Sequence, residues 1–156
     1  MRTARLDSER GIALVVSLFC LVVIGAIVAG NFFAGRLEQQ SGQNMLFVSE
    51  ASEAAEAGLS DALATVSPAV LDTLPVGGDP LLLSSITLAP GISSTPEISR
   101  LTATLFLIRA RGLRANAAGD ALASRGVGAL VHVVTGATPS EPARLQVIER
   151  GWFQLY

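Results

Sequence analysis

From Ile12 to Gly30 the chain reads IALVVSLFCLVVIGAIVAG, nineteen residues without a charge, with Ser17 and Cys20 its mildly polar members. Asn31 interrupts, and Phe32, Phe33, Ala34 and Gly35 then extend the apolar reach to Arg36. A helix rises about 1.5 Å per residue and the hydrocarbon layer of a bilayer is roughly 30 Å thick, so this stretch is long enough to cross it. A buried core helix of that length rarely lacks a polar face, and the run therefore predicts a membrane span over 12–35. Half of the 156 residues are apolar and 15% are charged, against about 25% in ordinary globular chains. That balance excludes a disordered chain and argues against an ordinary cytosolic enzyme.

Charge sets the orientation. Arg2, Arg5 and Arg10 precede the span, offset in part by Asp7 and Glu9. The positive-inside bias leaves this end in the cytoplasm and puts everything after Arg36 across the membrane. A secretory signal has a shorter apolar region followed by a small-residue cleavage site. Here Glu9-Arg10-Gly11 abuts the apolar run directly, the wrong order for removal of the span.

A short basic leader ending in Gly11, an apolar helix beginning at Ile12 and an amphipathic continuation resemble a type IV prepilin. The resemblance implies a leader over 1–11, cut after Gly11 by a prepilin peptidase that methylates the new amine of Ile12. Removing three arginines and two acids from the eleven basic and thirteen acidic residues leaves eight against eleven, a net charge of −3 on 145 residues. Main pilins carry glutamate at the fifth mature position, where this chain has Val16. In the family that carboxylate is thought to neutralise a neighbouring subunit's amine, which would be costly to leave unpaired in a filament. Subunits that often lack it include PilX-type minor pilins and the K-type pseudopilins of type II secretion. Arg36-Leu37-Glu38, Gly42, Asn44 and Ala54-Ala55-Glu56-Ala57 are similar to the PilX-type pattern.

The function this resemblance implies is that of a minor pilin, acting in pilus priming, assembly or adhesion. Its partners would be other pilin subunits and the prepilin peptidase, first in the bacterial inner membrane and then in an extracellular or periplasmic pilus. A K-like pseudopilin is the first alternative, disfavoured because that type usually carries a large insertion. An unprocessed, membrane-anchored periplasmic scaffold or binding protein is the second.

Helical spacing continues past the span. Leu46, Ala54, Gly58 and Ala62, with Phe47, Ala51, Ala55, Leu59, Leu63 and Val66, recur on one face, while Glu50, Glu53, Glu56, Ser60 and Asp61 take the other. The amphipathic continuation is predicted over 36–66, ended by Ser67-Pro68. Gly25, Gly30, Gly35 and Gly42 each weaken a helix by about 1 kcal/mol, which points to local melting between Gly30 and Gly42. Gly25 and Ala29 form one row of small residues, and Ala26, Gly30 and Ala34 another; such rows let helices approach closely in lipid. Cys20 lies mid-span without a partner, so no disulfide is expected.

Residues 67–99 hold five of the seven prolines, with Gly77-Gly78-Asp79-Pro80 and Pro90-Gly91 as turn signals, and read as a connecting region. Leu81, Leu82, Leu83, Ile86 and Leu88 are too apolar for free linker and predict a loop or short strand docked on the helix. Strands are predicted at 100–107, continuing to 111 with a turn at Gly112, and at 129–135 and 144–150, with a loop between the first two and Trp152 packed on the sheet. The fold class is α+β and pilin-like: a long N-terminal helix packed on a small antiparallel sheet in residues 100–156.

No catalytic constellation emerges. His132 is the single histidine and falls inside a strand; no nucleophile-elbow or phosphate-cradling loop is present. Zinc needs more His and Cys than the chain has, and Asp72, Asp79, Glu97 and Asp120 lack calcium-loop spacing. No enzyme activity, metal, cofactor or small-molecule substrate is expected. Glu50, Glu53 and Glu56 read as a solvated face, or as partners for Arg36 or Arg100 of neighbouring copies. Arg109, Arg111, Arg114 and Arg125 form a mild basic cluster, but the mature charge gives nucleic-acid binding little support.

Overall fold

A single helix carries the N-terminal third of the chain. The computed structural model describes residues 3–134 and 144–155, with side-chain environments at 12–134, 144–148 and 151–155. Within it α1 runs Thr3–Thr65 without a break, nine residues longer at its start than expected and one shorter at its end. The melting expected between Gly30 and Gly42 is not seen. Each glycine costs about 1 kcal/mol, yet the costly step of helix formation, nucleation, is already met by the long apolar flanks. Arg2, the strand end at Thr135 and Tyr156 lie outside the described residues.

The chain divides into two compact units, Met1–Gln43 and Asn44–Tyr156. The first is the apolar half of α1, whose side chains from Ile12 onward are all exposed. Among the described residues this one helix is long and apolar enough to cross a membrane.

In the second unit the rest of α1 packs on an antiparallel sheet, giving the expected α+β architecture. The strands are β1 (Leu81–Leu82), β2 (Ile86–Ala89), β3 (Ile92–Arg100), β4 (Leu105–Ala115), β5 (Ala121–Val134) and β6 (Arg144–Leu155), preceded by a short helix α2 (Pro68–Asp72). Their order is β1-β3-β4-β5-β6, with β2 also paired to β3. Alternation puts Ile98, Phe106, Ile108, Ala110, Val127, Ala129 and Val131 on one buried face, where they meet Ala51, Ala54, Ala55, Leu59 and Ala62 of α1. The predicted helix stripe is therefore the core-facing one, except that Leu46 is exposed.

Several boundaries differ from expectation. The sheet begins well before residue 100, because β3 crosses the supposed connecting region and pairs with β4 from Ile92↔Arg114 to Arg100↔Phe106. Pro96 hid this strand. Its carbonyl accepts from Leu83 N at 2.9 Å, so its missing N–H also faces the β1–β2 side and costs the β3–β4 ladder nothing. Leu81, Leu82 and Ile86 lie in short strands paired to β3, and Leu81 and Leu83 pack against the core that includes Ala55, Leu59 and Ala62 of the helix. Leu71 of α2 and Leu74 beyond it complete the core.

Gly112 is not a turn but the middle of β4, and the loop expected over 113–128 is mostly strand. The real reversal is tight: Asn116 Oδ1 accepts from Ala118 N and Asp120 N at 2.9 and 2.8 Å, and Gly119 takes φ +92°. The aspartate–asparagine pair closes it, with Asn116 Nδ2 donating to Asp120 Oδ2 at 3.0 Å.

Candidate functional site

The residues expected to process and assemble the chain all fall on α1. Gly11 lies in the helix. Ile12 is 62% exposed and Val16 54%. Gly25 and Ala29, with Ala26, Gly30 and Ala34 beside them, are exposed, and a Cβ added at Gly25 or Gly30 would meet nothing within 4 Å. Residues four apart share a helix face, so the two small-residue rows exist as adjacent exposed strips. Cys20 is a free, exposed thiol on the same segment.

Small residues also set how the other end of α1 meets its sheet. A Cβ at Gly112 would collide with the carbonyl oxygen of Ala51 and the amide nitrogen of Ala55, so helix backbone rests directly on β4. A Cβ at Gly58 would collide with the side chain of Ser94, which is fully buried and whose Oγ has no hydrogen-bond partner among the described residues. This Ala/Gly stripe brings helix and sheet closer than larger side chains allow.

The arginine cluster is divided by the fold. Arg114 forms an ion pair with Glu50 at 2.8 Å, donates from Nη1 to Pro90 O at 3.0 Å and sits 6.0 Å from the Phe47 ring centroid. Glu50 is thus half-buried and paired within the chain rather than part of a solvated face. Arg100, expected as an option for neighbouring copies, is used internally. Its guanidinium donates to the carbonyls of Leu74, Asp72, Thr102 and Ala103 between 2.8 and 3.3 Å and lies 5.4 Å from the Phe106 ring.

Arg109 and Arg111 lie on the sheet face opposite the helix. Cross-strand register aligns Thr95, Arg111, Gly126 and Leu155 in one row, and Glu97, Arg109, Gly128 and Phe153 in the next. Arg109 pairs with Glu97 at 2.8 Å, and Arg111 Nε donates to Ser124 Oγ at 2.9 Å. These groups line an open groove of about 650 Å³ that Arg125 borders and Leu82 and Leu155 rim.

Trp152, expected to pack on the sheet, is 52% exposed beside Glu56, Val127 and Gln154 in a shallow hollow. Its strand is at the sheet edge, one strand beyond Val127, Ala129 and Val131, which are the outermost sheet residues in the buried core. His132 is half-buried in β5 opposite Leu105 and Gln146. Asp72 and Asp79 are exposed, Glu97 is ion-paired and Asp120 is held in its turn, so the four acids are not brought together. Among the described residues no three His, Cys, Asp or Glu side chains are placed to hold a metal ion.

No family model, curated protein or solved structure matches this chain. Sequence reasoning placed Gly58 on the core-facing stripe and read Gly112 as a turn, and it missed the close contacts of both glycines, the burial of Ser94 and the carbonyl-capping role of Arg100. Gly112 continues the buried alternation of β4 with no side chain, and Gly58 interrupts an alanine-rich stripe; those glycines were the available signal.

Proposed function

We propose that the chain is a minor pilin of the PilX type, a structural subunit that works by assembly through its N-terminal helix. The observation that carries this reading is the division of α1. From Ile12 to Phe33 every side chain is exposed, whereas from Ala51 to Ala62 one stripe is buried on the sheet. An apolar helix that its own chain leaves bare needs lipid or other helices around it.

In this proposal the chain is inserted with its leader in the cytoplasm, trimmed after Gly11 and methylated at Ile12. The helix then passes from lipid to a filament, where the Gly25–Ala29 and Ala26–Gly30–Ala34 rows meet other subunits. Val16 presents no carboxylate to a neighbour's amine, which suits a subunit placed where that pairing is not required. The sheet domain faces outward.

Intact mass of the chain expressed with a prepilin peptidase is the test. A product beginning at methylated Ile12, lost on Gly11→Val substitution, supports the proposal. Retention of Met1 overturns it in favour of a permanent anchor, and cleavage beyond Gly35, which removes the span, overturns it as well.

A further inference from the structure

The groove on the helix-distal face of the sheet has no part in the assembly described above and lies wholly within residues 82–155. Its charges are not all used up. Glu97 compensates Arg109 at 2.8 Å. Arg111, in contrast, is exposed and makes one hydrogen bond among the described residues, from Nε to Ser124 Oγ. That bond fixes the stem of the guanidinium and leaves both terminal nitrogens as donors. A planar pair of N–H donors held in this way matches a carboxylate bidentately.

The surroundings narrow the class of ligand. Ser124 Oγ, having accepted from Arg111, retains its own proton to donate. Thr95, the cross-strand neighbour of Arg111, shares a 3.0 Å hydroxyl–hydroxyl contact with Ser85, adding a second alcohol at the groove wall. On the far side Gly126 contributes no side chain, so the trough between Arg111 and Leu155 stays open; a Cβ there would come within 3.0 Å of Leu155 Cβ. Leu82 and Leu155, 67% and 39% exposed, supply aliphatic rims.

Extended peptides usually gain affinity from main-chain hydrogen bonds at a sheet edge. Here β4, on the floor of the groove, is laddered on both sides, to β3 and β5, so its backbone has no hydrogen bonds left for a peptide. What it offers is the Arg111 guanidinium, with Arg125 beside it and Arg109 held by Glu97, together with two alcohols and apolar rims. We infer that this groove binds a carboxylate-bearing sugar, with Arg111 holding the carboxylate, Ser124 and Thr95 meeting ring hydroxyls, and Leu82 and Leu155 lying against the C–H faces. Its volume of about 650 Å³ falls within the roughly 300–1,000 Å³ of small-ligand sites.

Calorimetric titration of trigalacturonate into the full chain in dodecyl maltoside micelles tests this, with neutral trigalactose and pentaglutamate as comparison probes. The expected result is saturable trigalacturonate binding weakened about tenfold or more by R111Q, and similarly by L155E, which puts a carboxylate on the exposed rim. R111K is expected to restore only part of the loss, since an ammonium is not bidentate. Absence of saturation at about 10 mM overturns the assignment, as does affinity in R111Q and L155E equal to that of the unsubstituted chain, or binding of trigalactose equal to that of trigalacturonate. Tighter binding of pentaglutamate overturns it in favour of an acidic peptide. L155E keeps the test decisive if R111Q fails to fold.

Discussion

Arg114 Nε and Glu50 Oε2 form an ion pair at 2.8 Å, tying β4 to the helix that covers it. Both side chains keep partial contact with water, at 25% and 38% exposure, so the pair itself is worth no more than about 1 kcal/mol. Arg114 also holds the Pro90 carbonyl and flanks Phe47. R114A is therefore expected to destabilise the fold more than E50A. A double-mutant cycle read by thermal unfolding in detergent should give a coupling near 0.5–1 kcal/mol that shrinks as salt rises. A coupling that is unchanged between low salt and about 1 M salt would show that the contact is not electrostatic.

Gly112 and Ala51 make the closest approach of sheet to helix. G112A is expected to cost about 3 kcal/mol, because the added methyl meets helix backbone, which cannot rotate away. G58A presents a different balance. Alanine gains about 1 kcal/mol of helix propensity, but its methyl collides with the Ser94 side chain, and net destabilisation follows. The combination G58A with S94G removes the clash and should recover stability relative to G58A alone. Unfolding midpoints of the three variants measure this; a fully stable G58A would mean that the helix sits farther from β3.

Ser94 Oγ is buried and has no hydrogen-bond partner among the described residues. S94A deletes a desolvated hydroxyl without creating a large void, and should raise stability by about 1 kcal/mol. Loss of stability in S94A would mean that the hydroxyl has a bonding partner.

Arg100 gathers the carbonyls of Leu74 and Asp72 from one side and those of Thr102 and Ala103 from the other. R100M keeps the aliphatic stem over Phe106 but removes the donor from the part-buried Leu74 carbonyl and leaves the exposed ones to water, at an expected cost of about 1 kcal/mol. R100K should recover little, since one ammonium cannot span the set. Amide exchange should speed up first around α2 and the β3–β4 turn; uniform acceleration across the sheet would contradict a local role.

Leucine at Gly25 or Ala29 should leave the unfolding of the sheet domain unchanged, because the Cβ position at Gly25 has empty space around it. Under the proposed function the same substitutions lower the amount of chain recovered in sheared filaments. An altered midpoint of the sheet domain would show that this part of α1 touches its own chain.

The apolar run of 12–35, the amphipathic stripe from Phe47 to Val66 and the stop at Ser67-Pro68 were legible because each is a local pattern: length without charge, a 3.6-residue period, a steric rule before proline. The α+β class followed from them. Strand boundaries were less legible. Pro96 looks like a break until its carbonyl is seen to face β1, and Gly112 looks like a turn until the helix backbone is found lying on it. The division of the arginines was invisible, since Arg109, Arg111 and Arg114 are near neighbours in sequence, while strand alternation sends Arg114 to Glu50 and Arg111 to the opposite face. By itself, then, the sequence determined where the helix begins to be apolar, where it becomes two-faced and where it ends. Tertiary structure alone decided which glycines are contact points and which arginines are drawn into ion pairs with Glu50 and Glu97, because those properties depend on what another strand or the helix brings within a few ångströms.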